Sequence, residues 1–385
     1  MPHSIQDLAS GLAKETSIRE HRFLPGWVVQ LSKRYNERPE NPTVHLCDLT
    51  ENSIVYLRSE GRSVVEPCWE RLGVLKGKRW AWYNYRGIAN YLTGASGKVA
   101  RLKKWKDFAK LTGFDVNMLE PFVSSLRTSD GPYIRTLRNP KLPLNLATPA
   151  GARLIGYYGD SNNRNGAFTN KDSALHEDFR KTVTKVFGDL TMSETVSNRG
   201  GFKDGRYIRS NVGKIVPAAL TVAGFDNTRD QKQANNPLPS WIFDCNHLIR
   251  SECLSALWDA EGSVNYRDLK IGQAIPVVLY PEETIPVWPS NKAFRRISLD
   301  DQSCVLEHPP LLLISAALLL YSLGIVSRIM PTKLSSSQGE ITAYWQLRVQ
   351  RDQSIKAFHS QIRLRSEHKQ KALDSMAGVS PHLPL

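Results

Sequence analysis

Cysteine is scarce and follows no pairing pattern. Cys47, Cys68, Cys245, Cys253 and Cys304 are odd in number, widely spread and form no CxxC. This excludes a zinc signature and a secreted disulfide framework, and fits a reducing compartment. An apolar core of signal-peptide type is lacking in "MPHSIQDLASGLAKETS". The one apolar run, "LLLISAALLLYSLGIV" (311–326), is too short for a span and is broken by Ser315, Ser322 and Gly324. It reads as a buried helix. Acidic residues are also in deficit, 37 against 51 Lys and Arg, leaving a net charge of +14. Such a surplus points to a polyanionic partner, most often nucleic acid. With 41% hydrophobic and 23% charged residues over 385 positions, wholesale disorder is excluded and two or three cored domains are expected.

What is present begins with charge-rich helical patterning. Residues 1–84 show helical periodicity around Gly26–Tyr35 and near Leu57–Leu75, without recognisable chemistry. From 85 to 140, "RLKKWKDFAKLTGFDVNMLEPFVSSLRT" reads as a helix, a tight turn at Thr112-Gly113-Phe114, and a second helix from about Val116. Trp105, Phe108, Ala109 and Leu111 form the apolar face of the first helix; Met118, Leu119 and Phe122 form that of the second. This is the helix-turn-helix pattern. Lys98, Arg101, Lys103, Lys104, Lys106 and Lys110 against Asp107 alone make it basic. A helical hairpin with a solvated basic face is the competing reading. The proline-rich "RNPKLPLNLATPAG" then reads as a linker, with Thr148 as N-cap and Pro149 as the first helical residue.

Two later stretches resemble each other. "AGARLIGYYGDS" is a helix packed with small residues, Ala152, Gly156 and Gly159, and ends at Asp160. "LSALWDAEGSVNY" (254–266) carries Ala256 and Ala260 one turn apart and ends in Asp259 and Glu261. Carboxylates there face the negative end of the helix dipole, which disfavours ionisation, so a compensating positive charge is expected. After Asp160 come a turn, the strand "AFTN", the helix "KDSALHEDFRKTVTKVFG", "LTMSETVS", the strand "RYIRSN" and the helix "VGKIVPAALTVAGF". After Glu261 come "SVNY", the strand "LKIGQAI", an insertion over roughly 276–308 and the helix "PPLLLISAALLLYSLG". "IVSRIMPT", the strand "ITAYWQLRVQ" and helices near 353–363 and 367–376 complete the second set. The order is the same twice, and the two acids stand 101 positions apart. A repeat of this length predicts an α+β fold of two pseudosymmetric αββαββα halves, 141–249 and 250–385. A mostly helical N-terminal region precedes them.

On these residues the chain resembles the single-chain LAGLIDADG homing endonucleases, which carry two motif copies. Leu254-Ser255-Ala256-Leu257-Trp258-Asp259-Ala260-Glu261-Gly262 fits the nonapeptide, and the family's key acid falls on Glu261. The copy Arg153-Leu154-Ile155-Gly156-Tyr157-Tyr158-Gly159-Asp160-Ser161 is looser, with serine for the final glycine, and its key acid falls on Asp160. The resemblance covers about 140–378. It implies metal-dependent hydrolysis of both strands of DNA, leaving short 3′ overhangs. "FTNKD" resembles the family stretch in which an amide and a lysine lie near the scissile phosphate, which places Asn170 and Lys171 in the first site. In the second half Gln273 fits the amide, Ala274 stands where a lysine is common, and Lys270 is its substitute. Lys369 falls near the lysine of the family's closing helices.

The chemistry suits the arrangement. Helices crossing through small residues can bring Asp160 and Glu261 together, where each repels the other. Mg²⁺, or another divalent cation such as Mn²⁺, would relieve that repulsion and activate water. Asp259 is read as hydrogen bonding within the helix interface rather than as a metal ligand. Strands with alternating exposed side chains can lie in the major groove. Arg164, Arg206, Arg209, Arg267, Lys270, Arg348 and Lys369 are the DNA-contact candidates. The expected partner is double-stranded DNA with a long asymmetric target, bound by a monomer without any membrane. The expected compartment is the cytoplasm, at the nucleoid, an organelle being the other setting these features allow. The alternative function is a non-cleaving DNA- or RNA-binding protein on the same scaffold, a transcription regulator or intron maturase. Presence of both acids favours the nuclease. An intein is disfavoured, because the chain begins Met-Pro and ends Leu-Pro-Leu without a terminal nucleophile or His-Asn.

Overall fold

A computed structural model describes residues 4–16, 23–37, 40–95, 99–128, 134–159, 166–197, 207–225, 236–265, 268–281, 284–286, 288, 290–337 and 340–378. The architecture is α+β, and the strands among these residues pair antiparallel in four sheets.

The N-terminal region opens with α1 (Ile5–Thr16) and α2 (Pro25–Asn36). It continues through β1 (Thr43–Val44), β2 (Ile54–Leu57), α3 (Arg62–Lys76), α4 (Lys78–Asn84), α5 (Arg86–Thr93) and α6 (Leu102–Thr112). Gly113, at φ 71°, closes α6 in the left-handed conformation that the turn expectation required. The second α-helix of a helix-turn-helix does not follow. Residues Val116–Phe122 form a 3-10 segment whose Val116 and Leu119 are buried, and the chain then extends as β3 (Val123–Arg127). Pro121 lacks the N–H a continuing helix would need. Nor is the stretch after it only a linker. β4 (Thr136–Arg138) joins β2 and β3, and β5 (Leu144–Asn145) pairs with β1.

The next segment begins with α7 (Pro149–Tyr157), whose start is as expected: the Thr148 hydroxyl accepts from the Gly151 N–H at 3.1 Å, and Pro149 occupies the first turn. β6 (Ala167–Asn170), α8 (Ser173–Phe187), β7 (Asp189–Leu190), β8 (Ser193–Ser197), β9 (Tyr207–Asn211) and α9 (Ile215–Val222) follow. β7 completes the N-terminal sheet, in the order β2-β3-β4-β7, while the others form the sheet β6-β9-β8.

The remaining chain runs α10 (Trp241–Asp244), α11 (His247–Glu261), β10 (Ser263–Val264), β11 (Leu269–Val277), β12 (Lys292–Ala293), α12 (Leu299–Glu307) and α13 (Leu311–Tyr321). It ends with β13 (Arg328–Ser337), β14 (Glu340–Val349), α14 (Asp352–Gln361) and α15 (Glu367–Met376). Its sheet is ordered β10-β11-β14-β13-β12. In both sheets the strand that leads into the intervening helix pairs with the last strand of its segment, which in turn pairs with the one before it. The turn expected after Asp160 falls on residues 160–165, outside the described residues.

Leu311–Leu320 of α13 are all buried, and among the described residues no single helix is long and apolar enough to cross a membrane. α1 and α2 pack on α13 from outside. The Trp27 indole of α2 donates to the Leu306 carbonyl at 2.7 Å and meets the Trp345 ring of β14 edge-on at 5.8 Å.

Candidate active site at the helix crossing

α7 and α11 are packed directly against each other over their length. Small residues make this approach possible. A methyl group at Gly156 would fall 2.8 Å from both the Ala256 Cβ and the Leu257 nitrogen, and closer still to the Cys253 carbonyl oxygen. Ala152 and Ala256 are wholly buried.

Polar groups also stitch the crossing together. Arg153, buried in α7, reaches Asp178 of α8 at 2.7 Å and Glu252 of α11 at 2.8 Å, with Asp259 at 3.4 Å. The Tyr157 hydroxyl donates to Asp178 at 2.6 Å and accepts from Arg153 at 2.8 Å. Burial alone would depress the Arg153 pKa. Its neighbours Tyr157, Asp178 and Glu252 outweigh that, so the guanidinium stays charged. Sequence reasoning missed Arg153; the signal available was a single cation inside an otherwise apolar helix.

The end of α11 answers the dipole question. Asp259 is fully buried and accepts from the backbone N–H groups of Arg365 and Ser366, each at 3.0 Å, in the turn between α14 and α15. A bond within the helix interface was expected of it; there it accepts from Arg153 at 3.4 Å, while its shorter bonds go to that turn. Burial raises its pKa, while the two N–H groups, Arg153 and Lys369 oppose the rise. The compensating cation is Lys369 of α15. Its ammonium donates to the Trp258 carbonyl at 2.9 Å and the Asp259 carbonyl at 2.7 Å, two of the acceptors a helix leaves open at its C-terminus. Burial lowers the Lys369 pKa, against the charges of Asp259, Glu261 and Asp172. Lys369 was expected as a DNA contact; its ammonium is instead turned inward onto the helix end. Glu261, the last residue of α11, is exposed.

Asn170 approaches the same place from the other half. Its amide donates to the Ala260 carbonyl at 3.4 Å, its side-chain oxygen accepts from the Asp172 N–H at 3.0 Å, and its backbone carbonyl meets His176 at 3.2 Å. Asp172 caps α8 and accepts from the Ser366 hydroxyl at 2.8 Å. Neighbouring Lys171 is exposed. Asn170, Lys369 and Glu261 are therefore brought together. Asp160, the other acid of the expected pair, lies outside the described residues, as do Arg164, Arg206 and Arg267.

Gln273 is not placed as the sequence suggested. Burial alternates along β11 with Leu269, Ile271, Gln273 and Ile275 on the covered side, so the amide is buried and its Oε1 has no hydrogen-bond partner among the described residues. Strand period decides this, since a shift of one residue reverses the face. The open side carries Lys270, Gly272 and Ala274. Lys270 stands opposite Ser263 and Arg348, and Arg348 stands opposite Arg328. Three cations thus form one row across the sheet. Arg348 is held by the Gln346 side chain at 2.9 Å and by Asp268 at 3.6 Å. Gln346 lies on the open face opposite Gly272. In the smaller sheet Arg209 lies between Thr169 and Thr195 and is half-buried.

No family model matches the chain, and no curated protein matches its sequence.

Proposed function

We propose that the chain is a site-specific double-strand DNA endonuclease of the homing type, with two αββαββα halves meeting where α7 crosses α11. The observation that carries this reading is the crossing itself. It is closed by Gly156 against Ala256, and it delivers an exposed carboxylate, Glu261, beside the Asn170 amide of the other half. The row of Lys270, Arg348 and Arg328 supports the DNA partner, because like charges in register lower their mutual repulsion by taking up phosphates.

Glu261 offers hard carboxylate oxygens exposed to solvent, a donor type that suits a divalent cation such as Mg²⁺. Glu261 and Asp160 would hold it, and it would acidify a water and neutralise charge at the phosphate. The chain's own residues prepare the place. Lys369 fixes the end of α11 and so the direction of Glu261; the Asn170 amide is held ready to orient a water or phosphate oxygen; Lys171 and Lys270 lie on the DNA side. The reaction would leave short 3′ overhangs, because paired helix ends reach phosphates that face each other across the minor groove.

Burial of Gln273 favours a second reading, a non-cleaving DNA- or RNA-binding protein on this scaffold, since one expected site amide is withdrawn into the core. One experiment separates the two. Purified protein is incubated with DNA spanning the insertion point of its own gene, with and without Mg²⁺. Magnesium-dependent linear products with 3′ overhangs, lost in Glu261→Gln, support the nuclease. A retarded complex without cutting supports the binder.

A further inference from the structure

The strongest feature outside the crossing is the surface of α4. Residues 74–86, "VLKGKRWAWYNYR", contain Lys76, Lys78, Arg79 and Arg86 and no acid. Large side chains that would normally be covered are open here: Tyr83 is 84% exposed, Trp82 44% and Trp80 40%, beside Val74 at 87%. Only Ala81 of α4 is buried. At 100° per residue, Tyr83 projects opposite Ala81, Arg79 shares its face one turn away, and Trp80 and Trp82 flank it. Rings and cations therefore alternate around the uncovered side of the helix, with Tyr83 and Arg79 at its centre and Trp80 and Trp82 at its two edges. α6 extends the charge. Its Lys104 sits over the Tyr85 ring at 5.5 Å, and that ring meets Trp80 edge-on at 6.1 Å. Asp107 of α6 is the acid whose charge reaches this group, raising the Tyr85 pKa after burial has done so.

A membrane-lying helix separates its apolar and cationic faces; here they are mixed. Duplex DNA would use the cations but not the rings, because its base faces are stacked away. An unpaired strand uses both: each base presents a face for an aromatic ring, and each phosphate a charge for Lys or Arg. The patch's amide, Asn84, commits one N–H to the Trp80 carbonyl at 3.0 Å, and the contacts the patch offers, rings for bases and cations for phosphates, do not call on a 2′-hydroxyl.

We propose that the α4 face, with Trp80, Trp82 and Tyr83 as stacking platforms and Lys76, Lys78 and Arg79 as phosphate contacts, binds single-stranded DNA. This assignment does not depend on the nuclease reading. The test uses the full chain and a short fluorescently labelled oligothymidylate, read by anisotropy. The triple variant Trp80→Ala, Trp82→Ala, Tyr83→Ala is expected to lose about tenfold or more in affinity for that strand, with its melting temperature and its affinity for a duplex unchanged. An abasic strand of equal length should bind weakly to both proteins. The variant Lys76→Ala, Lys78→Ala, Arg79→Ala should also weaken binding and flatten its salt dependence, by about 0.7 in slope for each phosphate no longer neutralised. The proposal is overturned if the wild-type chain does not bind the strand, if both variants bind it as tightly as wild type, or if abasic and thymidine strands behave alike. It is also overturned if the matching RNA strand binds about tenfold tighter, or if anionic phosphatidylserine vesicles, and not the strand, lose binding in the aromatic variant.

Discussion

Gly156 and Ala256 face each other across two crossed helices so closely that a methyl on Gly156 would stand 2.8 Å from the Ala256 Cβ. Gly156→Ala should therefore destabilise the chain by about 1–3 kcal/mol, as overpacking does. Scanning calorimetry would show it as a lowered melting temperature. Gly26→Ala is the control, since nothing lies within 4 Å of the added carbon. Equal melting of the two variants would contradict the close crossing.

Glu261 and Asp259 are two residues apart and should part company on mutation. Glu261 is exposed, so Glu261→Gln should keep its melting temperature and lose DNA cleavage while retaining DNA affinity. Asp259→Ala leaves a buried N–H, that of Ser366, and the part-buried N–H of Arg365 without acceptors and should cost about 1–3 kcal/mol. Wild-type cutting rates in Glu261→Gln would remove that acid from the mechanism.

Arg153→Leu removes the buried cation shared by Asp178, Glu252 and Asp259, leaving Arg365 at 3.8 Å from Asp178 and 3.4 Å from Glu252 as the partner at the rim. Breaking such a buried network costs about 3–5 kcal/mol. Denaturant unfolding should show a loss of that order at neutral pH and a smaller one in acid, where the stranded carboxylates take up protons.

His176 supplies a pH dependence. It is buried against the Asn170 carbonyl at 3.2 Å and the Ser210 hydroxyl at 2.7 Å. Burial lowers its pKa below the ordinary 6.5, Arg180 assisting and the Asn170 carbonyl, Glu194 and Asp172 opposing. Just below 6.5 the unfolded chain therefore binds the extra proton and the folded chain does not. Stability is full above that value and falls as pH drops through the window. His176→Gln should flatten this part of a stability–pH curve measured by urea unfolding. An unchanged slope would locate it elsewhere.

If the chain is the nuclease proposed, the two strands of a DNA target should be cut at different rates. Ala274 lies on the open face of β11 with no basic group of its own, whereas Lys171 follows Asn170 directly. A nicked intermediate should accumulate; Ala274→Lys should shorten its lifetime, and Lys171→Ala should slow the opposite strand. Strand-specific end labelling reads both. Binding should also weaken with salt, log K falling by about 0.9 per phosphate neutralised on a duplex.

Much of this arrangement was legible in the residues. Small side chains at Gly156 and Ala256 announced a close crossing, Thr148-Pro149 announced a helix start, and the alternation of helices with short strands announced the α+β class. What escaped was set by register and by distance along the chain. Gln273 has the right chemistry, but strand alternation turns it inward, and only the ladder with β14 fixes which side is covered. The cation on the end of α11 comes from Lys369, 111 positions after the Trp258 carbonyl it meets, and no local pattern links the two. The second helix after Gly113 looked amphipathic, yet Pro121 and the approach of β3 held it to a 3-10 turn.

The bracing of α13 by α1 and α2 has a practical meaning for anyone trimming the protein. Resemblance alone would suggest cutting before residue 140 to obtain a minimal enzyme. Such a fragment would leave the leucine-rich helix and the Trp345 side of its sheet without the cover that Trp27 and its helix provide. A contiguous apolar surface of that kind drives self-association in water. The two N-terminal helices therefore keep that surface covered, and a grafted or shuffled version of the protein would have to carry them along.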